Sequence, residues 1–289
     1  MKRLLEQLLA FFCLTLCCAF GSEVSICIPV YNVERWLPRA LDSAINQTLK
    51  DIEIICVDDC STDGSLAILK SYAAKDPRIK VFKNEKNMGT LYTRFRATIA
   101  STGDRILFLD PDDELSNSIA EKSLAVAKKT GADIVFFRAE EVFAKNRRQP
   151  ALWLYDGPKD SALRPIAEIF SMIRDRKATW NMWGRLWIGD HGRAVAAQWL
   201  EFASRNHICM AEDALFFHFL VKKAATYAAI PDVGYSYYRD TGGITTQKSA
   251  ADAAKNCCNI NIVFKVIADD DFHRNDYILK RMRFNIFCR

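Results

Sequence analysis

Three short apolar runs, each ending in polar or acidic residues, constrain the fold of this chain more than any other feature. The runs are VSICIPV (residues 24–30), IEIICV (52–57) and RILFL (105–109). Apolar runs of this length that are bounded by turn residues are typical of buried strands. Helical apolar periodicity fills the intervals, together with a further short strand over residues 79–83. Strands that alternate with helices and are apolar along their length predict an α/β fold with a mostly parallel sheet flanked by helices.

The polar residues after the strands indicate where a ligand binds. The second strand is followed by the pair Asp58-Asp59, and the fourth is followed by the acidic run 110–114. In open parallel sheets, ligands bind in the crevice beyond the carboxyl ends of the strands. We therefore expect both acidic segments to face one crevice, where Asp59 is available to accept hydrogen bonds from a ligand.

The acidic run after the fourth strand has the composition of a cation site. If the segment is extended, Asp110 and Asp112 alternate along it and point to the same side. Their carboxylates suit a hard divalent cation that completes its coordination with substrate phosphates and water. Together with Asp113 they also repel one another, which favours a bound metal or a raised pKa. A solvated acidic loop is the structural alternative.

A second acidic pair, Glu212-Asp213, precedes the apolar segment ALFFHFLV. The dipole of a helix favours acidic residues at its N-terminus, which is a sufficient structural explanation for the pair. The functional interpretation is a general base whose pKa is raised by partial desolvation among aromatic residues. The residues alone leave both interpretations open.

The second half of the chain is less regular and rich in aromatic residues. Trp180, Trp183 and Trp187 recur at three- and four-residue spacing, which is more typical of a helix core than of a sugar-stacking surface. His207 and His218 are expected to pack or to lie at the surface rather than to bind a ligand. The ten cysteines form no C-x-x-C pair and no zinc-like cluster, so they indicate buried thiols in a reducing compartment.

The motifs also occur in the order found in one enzyme family. VSICIPVYN, IEIICVDDCSTDGS and NMGTLYTRFRATIASTGDRILFLDPDDE strongly resemble the nucleotide-binding half of family 2 glycosyltransferases, which have the GT-A fold. WNMWGRLW, AEDALFFHF and YSYYRDTGGIT resemble the acceptor half of that family. The resemblance implies an inverting, hexosyltransferase-like enzyme of cell-surface polysaccharide biosynthesis. Such an enzyme moves a sugar from a nucleotide-diphosphate sugar, here expected to be a UDP-sugar, to a hydroxyl of a glycan or lipid-linked acceptor.

The resemblance further implies roles for individual residues. Asp213 is the expected catalytic base, and Asp112 and Asp110 are the expected ligands of a divalent metal, Mn²⁺ or Mg²⁺. Two residues depart from the family pattern, because Pro111 stands where Ser or Ala is common and Cys60 where Gly is common; neither change removes a catalytic group. The residues expected to bind the nucleotide sugar are Pro29, Tyr31, Glu34, Asp59, Arg94, Asp110, Asp113 and Arg185.

The N-terminal segment 1–22 is hydrophobic and signal-like, with two basic residues before the apolar run 8–20. That run is shorter than the ~20 residues that span a bilayer comfortably. A signal or anchor, a peripheral membrane helix and a start codon placed too far upstream are the three interpretations. Sugar-nucleotide donors favour the cytoplasm or the cytoplasmic face of the membrane, with a secreted or anchored protein as the alternative.

No linker separates the two halves of the chain, so we expect one compact catalytic domain with a helical C-terminal extension. The predicted divisions are the catalytic domain 23–245, its nucleotide-sugar half 23–117, its acceptor half 118–245 and the extension 246–289.

The net charge and the motifs argue against several other classes of function. The net charge of +5 arises from 40 Lys and Arg against 35 Asp and Glu, which suits an anionic small molecule or a membrane surface but not a dedicated nucleic-acid binder. We therefore expect no nucleic-acid partner and keep peripheral membrane association open. A catalytically inactive, GT-A-like carbohydrate-binding protein is the non-enzyme alternative. A nucleotidyltransferase is less favoured, because it would carry a Gly-rich basic loop after the first strand, and a receiver domain would not need the later motifs.

Overall fold

The first half of the chain alternates strands and helices as its apolar runs predict. The computed structural model describes residues 21–155, 157–158, 160–239 and 250–270. In chain order its first elements are β1 (Val24–Val30), α1 (Leu37–Ile45), β2 (Ile52–Asp58), α2 (Ser65–Ala73), β3 (Ile79–Lys83), α3 (Thr90–Ala100) and β4 (Arg105–Phe108).

These four strands form a parallel block. β1 pairs in parallel with β2 and with β4, and β2 pairs in parallel with β3. Every residue of β1 and β2 is buried, as expected for central strands of a parallel sheet that is covered on both faces. The block confirms the α/β prediction, and it places the carboxyl ends of all four strands at one edge.

The second half of the chain adds shorter strands and longer helices. Its elements are β5 (Glu114–Leu115), α4 (Ile119–Thr130), β6 (Ile134–Phe143), β7 (Arg147–Pro150), β8 (Arg164–Pro165), α5 (Ala167–Arg174), β9 (Arg185–Ile188), α6 (Gly189–Asn206), α7 (Glu212–Val221), β10 (Thr226–Tyr238) and α8 (Ala250–Ala268).

One mixed sheet continues through both halves. Strand β9 lies antiparallel between β4 and β6, and β10 pairs in parallel with β6. The strand order is β3-β2-β1-β4-β9-β6-β10-β5, with β7 beside β6 and β8 beside β10. The sheet is therefore parallel in its first block and mixed beyond it. Because β9 enters at the side of β4, the later motifs come to lie next to the carboxyl end of β4.

The helix-core prediction for the three tryptophans is wrong. Trp187 lies in β9, and Trp180 and Trp183 lie in the irregular segment before that strand. Gly184 adopts a left-handed conformation with φ of 77°, which breaks any helix between Trp183 and Trp187. Trp183 and Trp187 are nevertheless buried, so the prediction of core packing holds without the helix.

The two ends of the chain are described only in part. The signal-like residues 1–20 lie outside the described residues, and of the expected extension the structure describes residues 250–270, which include α8. Asn259 on α8 accepts a hydrogen bond from the Cys209 N–H at 2.8 Å, just before α7. Within the described parts of the chain, no helix combines the length and apolar composition needed to cross a membrane.

Candidate active site

Arg94 on α3 joins the two acidic motifs. Its Nη2 atom lies 2.8 Å from Asp110 Oδ1, 3.6 Å from Asp213 Oδ1 and 3.8 Å from Glu212 Oε1. The Arg94 side chain is only 4% exposed. Burial opposes its charge, but the three neighbouring carboxylates outweigh burial and raise the pKa of the guanidinium. The acid after β4 and the acidic pair of α7 therefore share one buried cation.

Asp59 organises the loop that leads into α3. Its buried carboxylate accepts hydrogen bonds from Asn84 Nδ2 at 2.6 Å, the Met88 N–H at 2.8 Å and the Gly89 N–H at 2.9 Å. Gly89 has a φ of 91°, and a Cβ there would lie 3.0 Å from the Ile208 carbonyl oxygen, so the position requires glycine. Asp59 thus fixes the start of the helix that carries Arg94. Its predicted contact with the nucleotide sugar stays a prediction.

The pair Glu212-Asp213 begins α7, where it is partly shielded from solvent. Burial, together with the charge of Asp213, raises the pKa of Glu212 to about 8. Burial also raises the pKa of Asp213, although the positive charge of Arg94 opposes the shift. Both groups therefore hold a proton more strongly than an ordinary carboxylate, as suits proton transfer near neutral pH.

The WNMWGRLW segment brings a backbone N–H close to the acidic pair. The Met182 N–H faces the Asp213 carboxylate and opposes the rise in the pKa of that group. The Met182 carbonyl in turn accepts a hydrogen bond from Trp187 Nε1 at 3.0 Å, so the buried Trp187 side chain fixes this loop. A backbone donor has no side-chain signature, and the sequence did not single out Met182.

Arg185 lies behind this loop, enclosed by aromatic rings. Its guanidinium carbon is 4.7 Å from the Phe136 ring centroid and 5.0 Å from that of Phe217, and Nη2 donates to the Thr179 carbonyl. Burial lowers the pKa of Arg185 to about 9, although the charge of Asp213 opposes the shift. Its Nε and Nη1 atoms have no hydrogen-bond partner among the described residues. The predicted role of Arg185 in phosphate binding stays a prediction.

Asp113 anchors the acidic run to β10. Its buried carboxylate accepts hydrogen bonds from the Tyr235 hydroxyl at 2.7 Å and the Tyr238 N–H at 2.8 Å, and the same hydroxyl accepts from the Asp110 N–H at 3.1 Å. Burial, followed by the charges of Asp112 and Asp110, raises the pKa of Asp113 well above its usual value. Tyr235 therefore completes the site, and the only sequence signal for it was the Tyr-rich run YSYY.

The expectation that Asp110 and Asp112 alternate on an extended segment is wrong. The chain turns there, with the Asp113 N–H donating to the Asp110 carbonyl at 3.1 Å, because Pro111 favours the second position of a β-turn. The Asp112 carbonyl accepts a hydrogen bond from Arg39, which holds the turn from outside. Within the described residues, no three His, Cys, Asp or Glu side chains are grouped closely enough to hold one metal ion. Asp112 and Asp110 stay predicted metal ligands.

Three residues predicted to bind the nucleotide sugar lie on either side of the end of β1; they are Pro29, Tyr31 and Glu34. Pro29 is a buried strand residue opposite Val57 and not a loop residue. Tyr31, at 40% exposure, and Glu34 follow the strand. Glu34 Oε2 accepts a hydrogen bond from the Gly64 N–H at 2.5 Å, which joins this loop to the loop after β2. Their contacts with a nucleotide stay predictions.

Cys60 and the two histidines of the second half have structural explanations. Cys60 has a φ of 61°, a left-handed conformation that glycine adopts most easily and that accounts for the family preference at this position. His207 Nε2 lies 2.7 Å from Asn87 Oδ1, and His218 Nε2 lies 2.6 Å from Asp270 Oδ2. Both histidines contact protein side chains, as the packing interpretation expects.

Several curated proteins that are similar to this chain in sequence are glycosyltransferases. The chain is 32% identical over 196 residues to a putative glycosyltransferase, EpsH, of Bacillus subtilis, which covers 67% of this chain and 54% of that protein. It is 39% identical over 113 residues to a cholesterol galactosyltransferase of Borreliella burgdorferi, covering 39% of this chain and 31% of that protein. It is 40% identical over 115 residues to a poly(ribitol-phosphate) beta-glucosyltransferase of Bacillus spizizenii, covering 39% and 18%. The chain thus spans less than two thirds of the length of these relatives.

Solved structures share the fold, and a family model identifies the family. The chain superposes on S. aureus TarS with a TM-score of 0.66 and 20% identity, covering 92% of this chain and 44% of TarS. A TarS fragment in complex with UDP-GlcNAc gives a TM-score of 0.65 and 21% identity, covering 85% and 65%. The family model for glycosyl transferase family 2 matches residues 25–189, more than half of the chain. The chain therefore belongs to glycosyltransferase family 2.

Proposed function

We propose that the chain is an inverting glycosyltransferase that moves a sugar from a UDP-sugar to a hydroxyl of a glycan or lipid-linked acceptor. The observation that carries this proposal is the buried ion cluster in which Arg94 joins Asp110 to Asp213. The cluster combines Asp110, at the carboxyl ends of the parallel strands, with Asp213, whose raised pKa suits proton transfer. The complex of TarS with UDP-GlcNAc supports a UDP-sugar as the donor.

In this proposal the donor binds beyond the carboxyl ends of β1, β2 and β4. Tyr31 and Glu34 follow β1, so these residues would contact the nucleotide. Asp59 follows β2, but its buried carboxylate accepts three protein hydrogen bonds, so it would position the loop beside the nucleotide. Asp110, after β4, would contact the ribose. Asp113 is fully buried and hydrogen-bonded within the protein, so we expect it to position Asp110 and β10 rather than to touch the sugar.

The acidic turn fits a divalent cation, Mn²⁺ or Mg²⁺. Cations of this kind are commonly held by one or two carboxylates, with substrate phosphates and water as the remaining ligands, so a group of three protein ligands is not required. Asp112 would hold the ion together with Asp110, whose Oδ1 is paired with Arg94. When bound, the ion neutralises charge that develops on the leaving diphosphate. Arg94 and Arg185 are almost fully buried, so they would act on that charge through the electrostatic field rather than by direct contact.

Asp213 would act as the general base. As the acceptor hydroxyl attacks the anomeric carbon, its proton passes to the Asp213 carboxylate. The bond between that carbon and the diphosphate oxygen breaks, and the nucleoside diphosphate leaves with the bonding electrons. Attack from the side opposite the leaving group inverts the anomeric centre. Arg94 lies 3.6 Å from the carboxylate and the Met182 N–H faces it, so both would help to position the base.

The names of two relatives support the acceptor class and the proposed compartment. One relative acts on poly(ribitol-phosphate) and another on cholesterol, which are a cell-surface polymer and a membrane lipid. We therefore propose that this chain works at the cytoplasmic face of a membrane, where nucleotide sugars and such acceptors meet, with peripheral association of the protein.

The test is a panel of UDP-, GDP- and dTDP-sugars, scored for release of the nucleoside diphosphate with Mn²⁺ and with EDTA. We expect turnover of one donor, loss of turnover on chelation and recovery when Mn²⁺ is restored. If a demonstrably folded protein neither binds nor turns over any donor, the proposal is wrong, and an inactive carbohydrate-binding protein becomes the better interpretation.

A further inference from the structure

Four aromatic rings pack together beside the acidic turn, with Trp183 at their centre, and we refer to them as the aromatic cluster. The ring of Trp183 stacks on that of Tyr235, with centroids 4.3 Å apart and planes at 14°, and on that of Tyr237, at 5.5 Å and 15°. Trp153 meets the cluster edge to face, 6.1 Å from Trp183 and 6.0 Å from Tyr237. Such geometry fixes the orientation of each ring.

The aromatic cluster contacts both halves of the proposed reaction centre. At its inner end, the Tyr235 hydroxyl donates to Asp113 and accepts from the Asp110 N–H. Trp183 directly follows Met182, whose backbone N–H faces the Asp213 carboxylate. The cluster therefore adjoins both the acidic turn and the general base, which is the region that an acceptor must reach.

Exposure increases along the cluster. Tyr235 is completely buried, Trp183 is 3% exposed, Tyr237 is half-buried and Trp153 is 39% exposed. Trp153 thus presents ring surface to solvent while two neighbouring rings restrain it. A rigid aromatic surface of this kind can accept the apolar C–H face of a sugar ring with little loss of side-chain entropy.

The rim of the aromatic cluster is polar. The Arg239 guanidinium carbon lies 5.6 Å from the Tyr237 ring centroid, and its Nε lies 3.6 Å from Glu141 Oε1. Gln149 also donates to Glu141, at 2.9 Å, from the strand that leads toward Trp153. Planar polar groups beside an aromatic surface suit the hydroxyls of a sugar, whereas an acyl chain would gain nothing from them.

We propose that Trp153, with Tyr237 beside it, forms a stacking platform for a sugar ring of the acceptor. This inference rests on the proposed function and extends it, because it implies that the acceptor carries at least one sugar residue rather than only a lipid tail. The residue stacked on Trp153 would hold the acceptor while a hydroxyl reaches Asp213. Stacking contributes to acceptor binding and leaves donor binding unchanged.

The first measurement is direct binding of sugars by saturation-transfer NMR. The probes are methyl glycosides and disaccharides of glucose, galactose, N-acetylglucosamine and rhamnose, together with octyl glucoside. The variants are Trp153→Ala, Trp153→Phe and, as the matched control, Leu152→Ala, since the adjacent Leu152 side chain is 51% exposed. We expect transfer to ring C–H protons in wild type and in Leu152→Ala. Affinity should fall about tenfold in Trp153→Ala, as loss of about 1.4 kcal/mol implies, and partly recover in Trp153→Phe.

Several results would overturn the platform. These are the absence of binding of every sugar to wild type, equal binding by Trp153→Ala and wild type, and transfer mainly to the alkyl protons of octyl glucoside, which would indicate a lipid site. A parallel assay of nucleoside diphosphate release from the donor alone separates the two proposals. If the protein turns over a donor but Trp153→Ala binds sugars as well as wild type does, only the platform is rejected. Trp153-dependent sugar binding without turnover of any donor supports the platform and rejects the transferase.

Discussion

Arg94 Nη2 lies 2.8 Å from Asp110 Oδ1, and this ion pair connects the helix after β3 to the turn after β4 within a buried site. The same guanidinium reaches the acidic pair at the start of α7, at 3.6 Å from Asp213. A single cation therefore offsets the repulsion among carboxylates that come from two distant motifs. Without it, protons or a bound metal would have to neutralise these partly buried acids.

Replacing Arg94 by Met should strongly destabilise the protein at neutral pH. The change removes the counter-charge of a partly buried acidic cluster formed by Asp110, Asp213 and Glu212. Glu212, with a pKa of about 8, is mostly protonated at pH 7, so the uncompensated charge lies on the other two acids. We expect the free energy of unfolding to fall by about 3–5 kcal/mol at pH 7. The loss should be smaller at pH 5, where protons can neutralise the acids. Urea denaturation at both pH values measures this. Arg205→Met is the control, because its pair with Glu201 is about three-quarters exposed and should change stability by less than about 1 kcal/mol. Equal losses in the two variants would contradict the role of Arg94.

Asp213→Asn should abolish transfer while the donor still binds. The amide keeps the shape of the side chain but cannot take the acceptor proton, so we expect the transfer rate to fall about 10²–10⁴-fold. Donor affinity, measured by calorimetric titration, should stay within about twofold of wild type. Asp190→Asn is the control, since the Asp190 side chain is 88% exposed. A fall in donor affinity as large as the fall in rate would remove Asp213 from the role of base.

Asp112→Asn should weaken binding of the metal that turnover requires. With one carboxylate ligand lost, the Mn²⁺ concentration that gives half-maximal donor turnover should rise about tenfold or more. Asp104→Asn provides the control, because Asp104 is exposed and directly precedes β4, at the opposite end of the strand from the acidic turn. If EDTA leaves wild-type turnover unchanged, the metal proposal fails regardless of the variant.

The raised pKa of Glu212 predicts how stability varies with pH. The pKa is about 8 in the folded protein and about 4.5 in the unfolded chain, so the folded state binds more protons between these values. The free energy of unfolding should therefore decrease as pH rises from about 4.5 to 8, by at most roughly 1.4 kcal/mol per pH unit from this group.

Glu212→Gln removes this contribution and should flatten the stability profile within the same pH window. Denaturant titrations at half-unit intervals compare it with wild type and with Glu201→Gln, whose parent side chain is 76% exposed. Parallel profiles for wild type and Glu212→Gln would show that Glu212 titrates normally.

Ala211→Gly should stabilise the protein. Ala211 precedes α7 with φ of 63° and ψ of 11°, the left-handed conformation. Relief of about 1–2 kcal/mol of backbone strain exceeds the 0.4–1 kcal/mol that glycine adds to the entropy of the unfolded chain. We expect a net gain of about 0.5–1 kcal/mol by urea denaturation. The exposed helical residue Ala194 gives the matched control, since Ala194→Gly should lose about 1 kcal/mol.

Local patterns in the sequence predicted the strands and helices of the first half of the chain and the position of its acidic segments. Apolar runs such as 24–30 and 52–57 became buried parallel strands, because burial on both faces of a sheet selects continuous apolar residues. The sequence also indicated the family, because several of its motifs occur in the order that is typical of that family. Local patterns were sufficient to predict a strand or a helix wherever residues close together in the sequence determine the backbone conformation.

Contacts between residues that are far apart in the sequence became visible only in the folded structure. Asp113 and Tyr235 are 122 residues apart and form one hydrogen bond, and Arg94 meets Asp213 only because β9 and α7 return to the edge of β4. The tryptophan spacing suggested a helix where the chain forms a loop and a strand, because Gly184 turns the backbone between them. Strand register and long-range packing set these contacts, and no local periodicity encodes either.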